Sequence, residues 1–225
     1  MRICGQVPYH GTRAAFEAYA SEVTLMSSAP RHAAPVRPRQ LPAPERRAQI
    51  LRAAAAAFSV GGYAATSVDD VAKQAGVTKL IVYRHFDSKG DLYRQVLDQV
   101  AARLGEEWAT HSELALYRGA AVRTLLAVGR ELPDGFRLFF VHAPREADFA
   151  GYAADFRRLQ LRVASQTLTD RLPDGPRRAW TAAMAVDMLI DAVLEWLELG
   201  DPRDDAEWAD RTTEGLHAAL TVWLV

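Results

Sequence analysis

GVTKLIVYRHFDSKGDLY, residues Gly76 to Tyr93, is the stretch on which the reading of this chain turns. Gly76 suits a tight turn, and Thr78 can cap a short helix behind it. Along that helix Val82 and Phe86 lie four apart and point inward. Lys79 and Tyr83 also lie four apart, on another face, flanked by Leu80 and Arg84. One side of the helix is therefore apolar, and the other is basic and aromatic. Asp87 or Ser88 then caps a further helix, along which Leu92, Val96 and Val100 make an amphipathic stripe. A buried core has no use for Lys79, Tyr83, Arg84, His85 and Lys89 in one place, whereas a polyanion does.

The residues upstream complete a motif. PERRAQILRAAAAAFSVGGY (44–63) reads as a helix, because Pro44 fits a first turn and Ile50, Ala54 and Phe58 recur every four residues. Five consecutive alanines favour that helix, and Gly61-Gly62 stops it. Thr66 or Ser67 caps the next, short helix, VDDVAKQA (68–75), with Asp69 and Asp70 at its positive dipole end. Two short helices joined by a glycine turn, the second one polar and aromatic, predict a helix-turn-helix. Its second helix is expected in the major groove of double-stranded DNA. Thr78, Lys79, Leu80 and Arg84 are then placed to read bases, Lys79 or Arg84 at guanine O6 and N7 and Leu80 at a thymine methyl. Tyr83, His85 and Lys89 are placed at phosphates, Lys89 beside the free N–H groups that open the fourth helix.

The charge distribution suits that partner. Residues 31–95 hold 11 Lys/Arg against 5 Asp/Glu, a balance of +6, whereas residues 96–225 hold 14 against 21, a balance of −7. Residues 1–30 hold two of each, so the chain totals −1. A basic front end on an acidic body suits an anionic partner for one part only. The 225 residues suffice for one large domain or two small ones. Cys4 is the single cysteine, which excludes an internal disulfide and a cysteine-based zinc site and fits a reducing cytoplasm. The longest apolar-rich stretch, 182–199, carries Asp187, Asp191, Glu195 and Glu198, which argues against a membrane span. SSAPRHAAPVRPRQLPAP (27–44) holds five prolines and four basic residues with no apolar period. Residues 1–43 are therefore expected to be a disordered extension, either a solubilising tail or an arm that touches DNA. Residues 1–25 lack the apolar segment of a secretion signal, and Met26 is an alternative start to Met1. No Ser/His/Asp or Cys/His set, phosphate-binding glycine loop or carboxylate pair at a cleft is visible, so neither enzyme activity nor a cofactor is expected.

Residues 45–100 resemble the DNA-binding domain of the tetracycline-repressor (TetR) family of transcriptional regulators. The resemblance is carried by ILRAAAAAFSVGGYAATSVDDVAKQAGVTKLIVYRHFDSKGDLYRQVL, above all by its F…GGY…TSVDDVAKQAGV and VYRHFDSKGDLY segments. It combines helix lengths, turn glycines, a Tyr-x-His-Phe run and a downstream lysine, over about a quarter of the chain. It implies phosphate contacts for Tyr83 and Lys89, and capping plus contact with the DNA backbone for Thr66 and Ser67. Many members carry a small residue or threonine before a Leu-Tyr pair. This chain has Leu80-Ile81-Val82-Tyr83, so a more apolar base readout is expected. The resemblance also implies a reading head at 44–90 and a helical ligand-binding and dimerisation domain at 91–225.

The remainder reads as helical throughout, giving an all-α fold. Helices are expected over 113–129, 133–142, 146–170, 175–199 and 204–224, with breaks at Pro133, Pro144, Pro173-Asp174-Gly175 and Gly200-Asp201-Pro202. Leu189, Val193, Trp196 and Leu197, with Leu216, Leu220 and Trp223, offer apolar surface for a twofold four-helix homodimer interface, or else an internal core. Phe136, Phe139, Phe140, Tyr152 and Phe156 are candidates to line an apolar effector pocket, together with Trp180 and Met184, although core packing suits each one singly. Asp187, Asp191 and Glu195 share a helix face, but no histidine partners them at metal-ligand spacing, so no metal is expected. The expectation is a dimeric, ligand-responsive transcriptional regulator, a repressor on a palindromic operator. The alternative is an architectural protein that binds DNA without sequence preference.

Overall fold

A computed structural model describes residues 42–111 and 119–224 of the chain. Every regular element among them is helical. α1 spans Ala43–Ala65, α2 Val68–Gln74, α3 Lys79–Tyr83 and α4 Lys89–Ala109. Beyond 118 come α5 at Ala120–Glu131, α6 at Pro133–Arg137, α7 at Ala150–Thr167, α8 at Pro176–Leu199 and α9 at Asp205–Trp223. The expected extension 1–43 lies outside the described residues except at its end, where Pro42 precedes α1 and Ala43 is its first residue. The start of the expected 113–129 helix lies outside them too.

The head is built around the apolar line read from α1. Ile50, Ala54 and Phe58 are wholly buried, as their four-residue spacing requires. Gly62 interrupts the helix with φ 72°, a conformation that glycine adopts without strain, and one further turn carries the chain to Ala65. α1 packs on α2, α4 and α6, and so touches both head and body. α4 runs unbroken from the head into the body, with Leu92, Val96, Val100 and Leu104 buried along it. A single apolar cluster joins the head residues to body residues as far as Ala209. Each large side chain in it contributes about 1.5–3 kcal/mol of burial.

The body departs from the expected helices in two places. Instead of one helix over 133–142, α6 ends at Arg137 and the chain widens into a π-helical turn over Leu138–His142, then a 3-10 turn over Ala143–Arg145. Pro144 has no N–H to offer the carbonyl of Phe140, and Ala143 N–H bonds back to the carbonyl of Leu138 instead. α7 starts at Ala150 rather than 146, because Phe149 leaves helical geometry to stack on Tyr93 at 4.2 Å between ring centroids.

α8 and α9 also present a different face from the one expected for a partner. Leu189 and Val193 are buried inside the subunit, Leu197 lies against Gly129, and Trp196 stacks flat on Trp208 at 5.1 Å. Leu216 and Leu220 line an internal cavity. The apolar surface left outward on these helices is that of Trp180, Met184, Leu199 and Val222, with Trp223 set edge-on against Trp180.

Candidate nucleic-acid interface and effector cavity

The second and third helices are held by short-range bonds that their sequence supplies. Ser67 caps α2: its hydroxyl accepts from Asp70 N–H at 3.2 Å, while the Asp70 carboxylate accepts from Ser67 N–H at 3.0 Å. These bonds hold the Asp70 carboxyl below its usual range. Gly76 makes the turn at φ 63°. Gln49 on α1 donates to the carbonyl of Ala75 at 2.9 Å, fixing the end of α2. Val82 and Phe86 sink into the core, and the Arg47 guanidinium lies 5.1 Å above the Phe86 ring.

With that side pinned, the other side of α3 faces outward. Thr78, Lys79, Leu80, Tyr83 and Arg84 are all exposed. Leu80 keeps 64% of its surface and Tyr83 45%, too much for core residues. Ser67 is exposed beside them, and His85 is half-buried. Burial, then Arg47 and Arg46, push the His85 imidazole below its usual value, so it is neutral at pH 7.

Two expectations for individual residues need correction, and two lysines expected at DNA have partners within the chain. Thr66 does not cap. Its side chain is buried, and its hydroxyl donates to the carbonyl of Ala57 at 3.2 Å. Thr78 stands at the N-cap of α3, but its hydroxyl makes no capping bond, and the helix start is closed through its carbonyl instead. Lys89, expected at a phosphate, has partners within the chain in this structure. Its ammonium donates to the carbonyls of Tyr63 at 2.8 Å and Thr66 at 3.2 Å, and sits 4.3 Å over the Tyr63 ring. It thereby satisfies carbonyls orphaned where α1 ends. Lys79 pairs with Asp69 at 2.8 Å, a contact that raises the lysine pKa, although both partners remain about half exposed. Asp69 was missed as part of this surface, since only the crossing of α2 and α3 brings the two first turns together.

The body contains a cavity of about 430 Å³ between α4, α5, α7, α8 and α9. Leu104, Leu125, Val163, Leu189 and Ile190 form its buried apolar wall. None of the seven aromatic and Met candidates lines it. Phe136, Phe139, Phe140, Tyr152 and Phe156 are spent on one another: Phe139 meets Phe156 at 4.7 Å and Phe140 at 5.0 Å, and Phe136 meets Phe140 at 4.7 Å. Tyr152 donates to Asp98 at 2.9 Å. Trp180 and Met184 face outward. Among the described residues no group of three His/Cys/Asp/Glu could hold a metal ion, and no helix is long and apolar enough to cross a membrane. The Asp187 carboxylate of the acidic face is tied to Arg157.

Known proteins align with this architecture. The family model for bacterial regulatory proteins of the tetR family matches residues 50–96. The chain is 43% identical over 193 residues to the HTH-type transcriptional regulator TtgR of Pseudomonas putida, covering 75% of this chain and 90% of TtgR. It is 29% identical over 199 residues to the HTH-type transcriptional activator FasR of Mycolicibacterium smegmatis, covering 81% of this chain and 86% of FasR. The fold is also that of the transcriptional regulator FadR from Bacillus subtilis, solved in complex with stearoyl-CoA. That match has a TM-score of 0.57 at 17% identity and covers 75% of this chain and 96% of FadR. A helix-turn-helix head, an all-helical body and a full-length relative at this identity leave one assignment: the chain belongs to the TetR family of DNA-binding transcriptional regulators and is not an enzyme.

Proposed function

We propose that this regulator reads a palindromic operator as a homodimer through α3, and that a small molecule in the body cavity changes its hold on DNA. The observation that carries this reading is the outward edge of α3, where cationic, phenolic and aliphatic side chains stand together while Val82 and Phe86 hold the helix down. Lys79 and Arg84 suit guanine, Leu80 suits a thymine methyl, and Tyr83, His85 and Ser67 suit phosphates. The reading head takes in 44–90 and the body 91–225, with α4 shared between them. Two heads on one face of the duplex must stand about 34–36 Å apart. Trp180, Met184 and Val222 form the apolar face that suits the twofold partner.

α4 is the connection between ligand and operator. Its far end walls the cavity through Leu104 and Trp108, and its first residue, Lys89, clamps the turn between α1 and α2. A ligand that displaces α4 at Leu104 therefore acts on the seat of α3. Such coupling typically amounts to about 1–3 kcal/mol. The regulator works in the cytoplasm and acts as a repressor when its operator overlaps a promoter. Selection of bound duplexes from a random pool, followed by anisotropy titration of the winner, tests the reading. A palindrome bound at least about a thousandfold tighter than scrambled DNA is expected. Failure to retain duplex DNA at low salt would refute it, and retention without any preference would make the protein an architectural binder.

A further inference from the structure

We infer that the cavity takes a largely apolar, uncharged or anionic small molecule that buries a hydrogen-bonding oxygen against Thr124; this rests on reading the cavity as the effector site. Four threonines are buried among the described residues. Three of them donate to carbonyls: Thr66 to Ala57, Thr181 to Arg177 at 2.9 Å and Thr213 to Ala209 at 2.7 Å. Thr124, at 2% exposure, is the exception, with no hydrogen-bond partner for its hydroxyl, and it lines the cavity. A helical threonine can ordinarily bond back to the carbonyl four residues earlier. A buried hydroxyl that does not is an unmet demand for a polar atom from whatever fills the space.

The charge of the lining sets the sign of the ligand. Residues 96–225 hold 21 Asp and Glu, yet none of the described residues around the cavity is a carboxylate. The polar rim is made by Arg171, His217, Gln160 and Thr221. A cation entering here would lose water and gain no counter-ion, whereas an anion meets a guanidinium. The volume of about 430 Å³ suits a drug-sized molecule, with its apolar length among Leu104, Leu125 and Ile190. The oxygen lies at the buried end, and any negative charge lies at the rim.

The test is calorimetric titration of the full-length protein, below micellar concentrations, with dodecanoate, 12-hydroxydodecanoate and dodecyltrimethylammonium. The ammonium is expected to bind at least about tenfold more weakly than dodecanoate. The preference of the wild type for the hydroxy acid over the plain acid should exceed that of Thr124→Val by about tenfold, the worth of one buried hydrogen bond. Thr124→Ser, which keeps the hydroxyl, should retain the wild-type preference, and this guards against a mere packing effect. An equal preference in wild type and Thr124→Val, an ammonium that binds as tightly as the acid, or no heat from any of the three overturns the inference. Binding in the expected order without any change in operator affinity would instead leave this site chemistry standing and overturn the effector reading.

Discussion

Head and body use charge in opposite ways. In the head, one edge of α3 projects outward, and two lysines rest on partners within the chain that DNA could replace: Lys79 on Asp69, Lys89 on the carbonyls of Tyr63 and Thr66. In the body, cations and acids lock helix to helix. Arg130 of α5 grips Asp205 of α9 through bonds of 2.8 and 3.0 Å, Arg103 of α4 holds Glu131 of α5 at 2.9 Å, and Trp196 donates to Asp205 at 2.7 Å. The Arg130 guanidinium keeps the Asp205 carboxyl below the ordinary range. The acidity of the body therefore forms struts, and none of the described residues around the cavity is a carboxylate. Regional net charge locates a polyanion site in the first region and only a scaffold in the second.

The sharpest way to break the contrast is to ask whether the two regions are separate bodies at all. Phe58 is wholly buried and lies 5.1 Å from Tyr93, which stacks on Phe149 of the body. Phe58→Ala should cost about 3–5 kcal/mol, and calorimetry should show head and body melting in one transition. Two separate transitions would mean that the shared core does not couple them.

Lys89→Ala tests whether that lysine is a clamp. Losing its charge-assisted bonds should lower stability by about 1–2 kcal/mol and weaken binding to operator and scrambled DNA by the same factor. A variant with wild-type stability but reduced salt dependence would restore Lys89 as a simple phosphate ligand. Asp69→Asn asks the converse of Lys79. Releasing an exposed ion pair should leave the melting temperature unchanged and raise DNA affinity on the order of a few-fold. Weaker binding would show that Asp69 positions the lysine rather than restrains it.

The smallest effect is a pH dependence. The His85 pKa is lower in the folded chain than its unfolded value of about 6.5, so the unfolded chain binds the proton more readily. The neutral imidazole's contribution to stability is complete above that pH and is lost as pH falls below it. If a phosphate lies beside His85, it raises the imidazole pKa, so operator binding should take up a proton and tighten as pH falls from neutral. His85→Gln should flatten that profile, and an unchanged slope would remove His85 from the interface.

These regions also differ in how far they could be read from the chain. Ser67 with Asp70, Gly76, and Val82 with Phe86 act within three or four residues of one another, so spacing alone placed α2 and α3. The Lys89 clamp reaches back 23 and 26 residues, and the Lys79 pair crosses two helices. Neither follows from a periodicity. The cavity needs five helices in register, and a phenylalanine carries no mark of whether its neighbour is a void or another ring. Phe139 and Phe156 therefore read as pocket candidates when they are each other's core, while Thr124 carried no signal at all. Likewise, Leu189 and Val193 have the spacing of an interface and the burial of an interior.

The most direct measurement is anisotropy titration of the selected operator and of a single-base variant with wild type, Lys79→Ala and Tyr83→Ala, each checked for an unchanged melting temperature. Lys79→Ala should bind operator and variant with nearly equal affinity, and Tyr83→Ala should weaken both about tenfold while keeping their ratio. Wild-type affinity and wild-type preference in both proteins would show that the outward edge of α3 does not touch DNA.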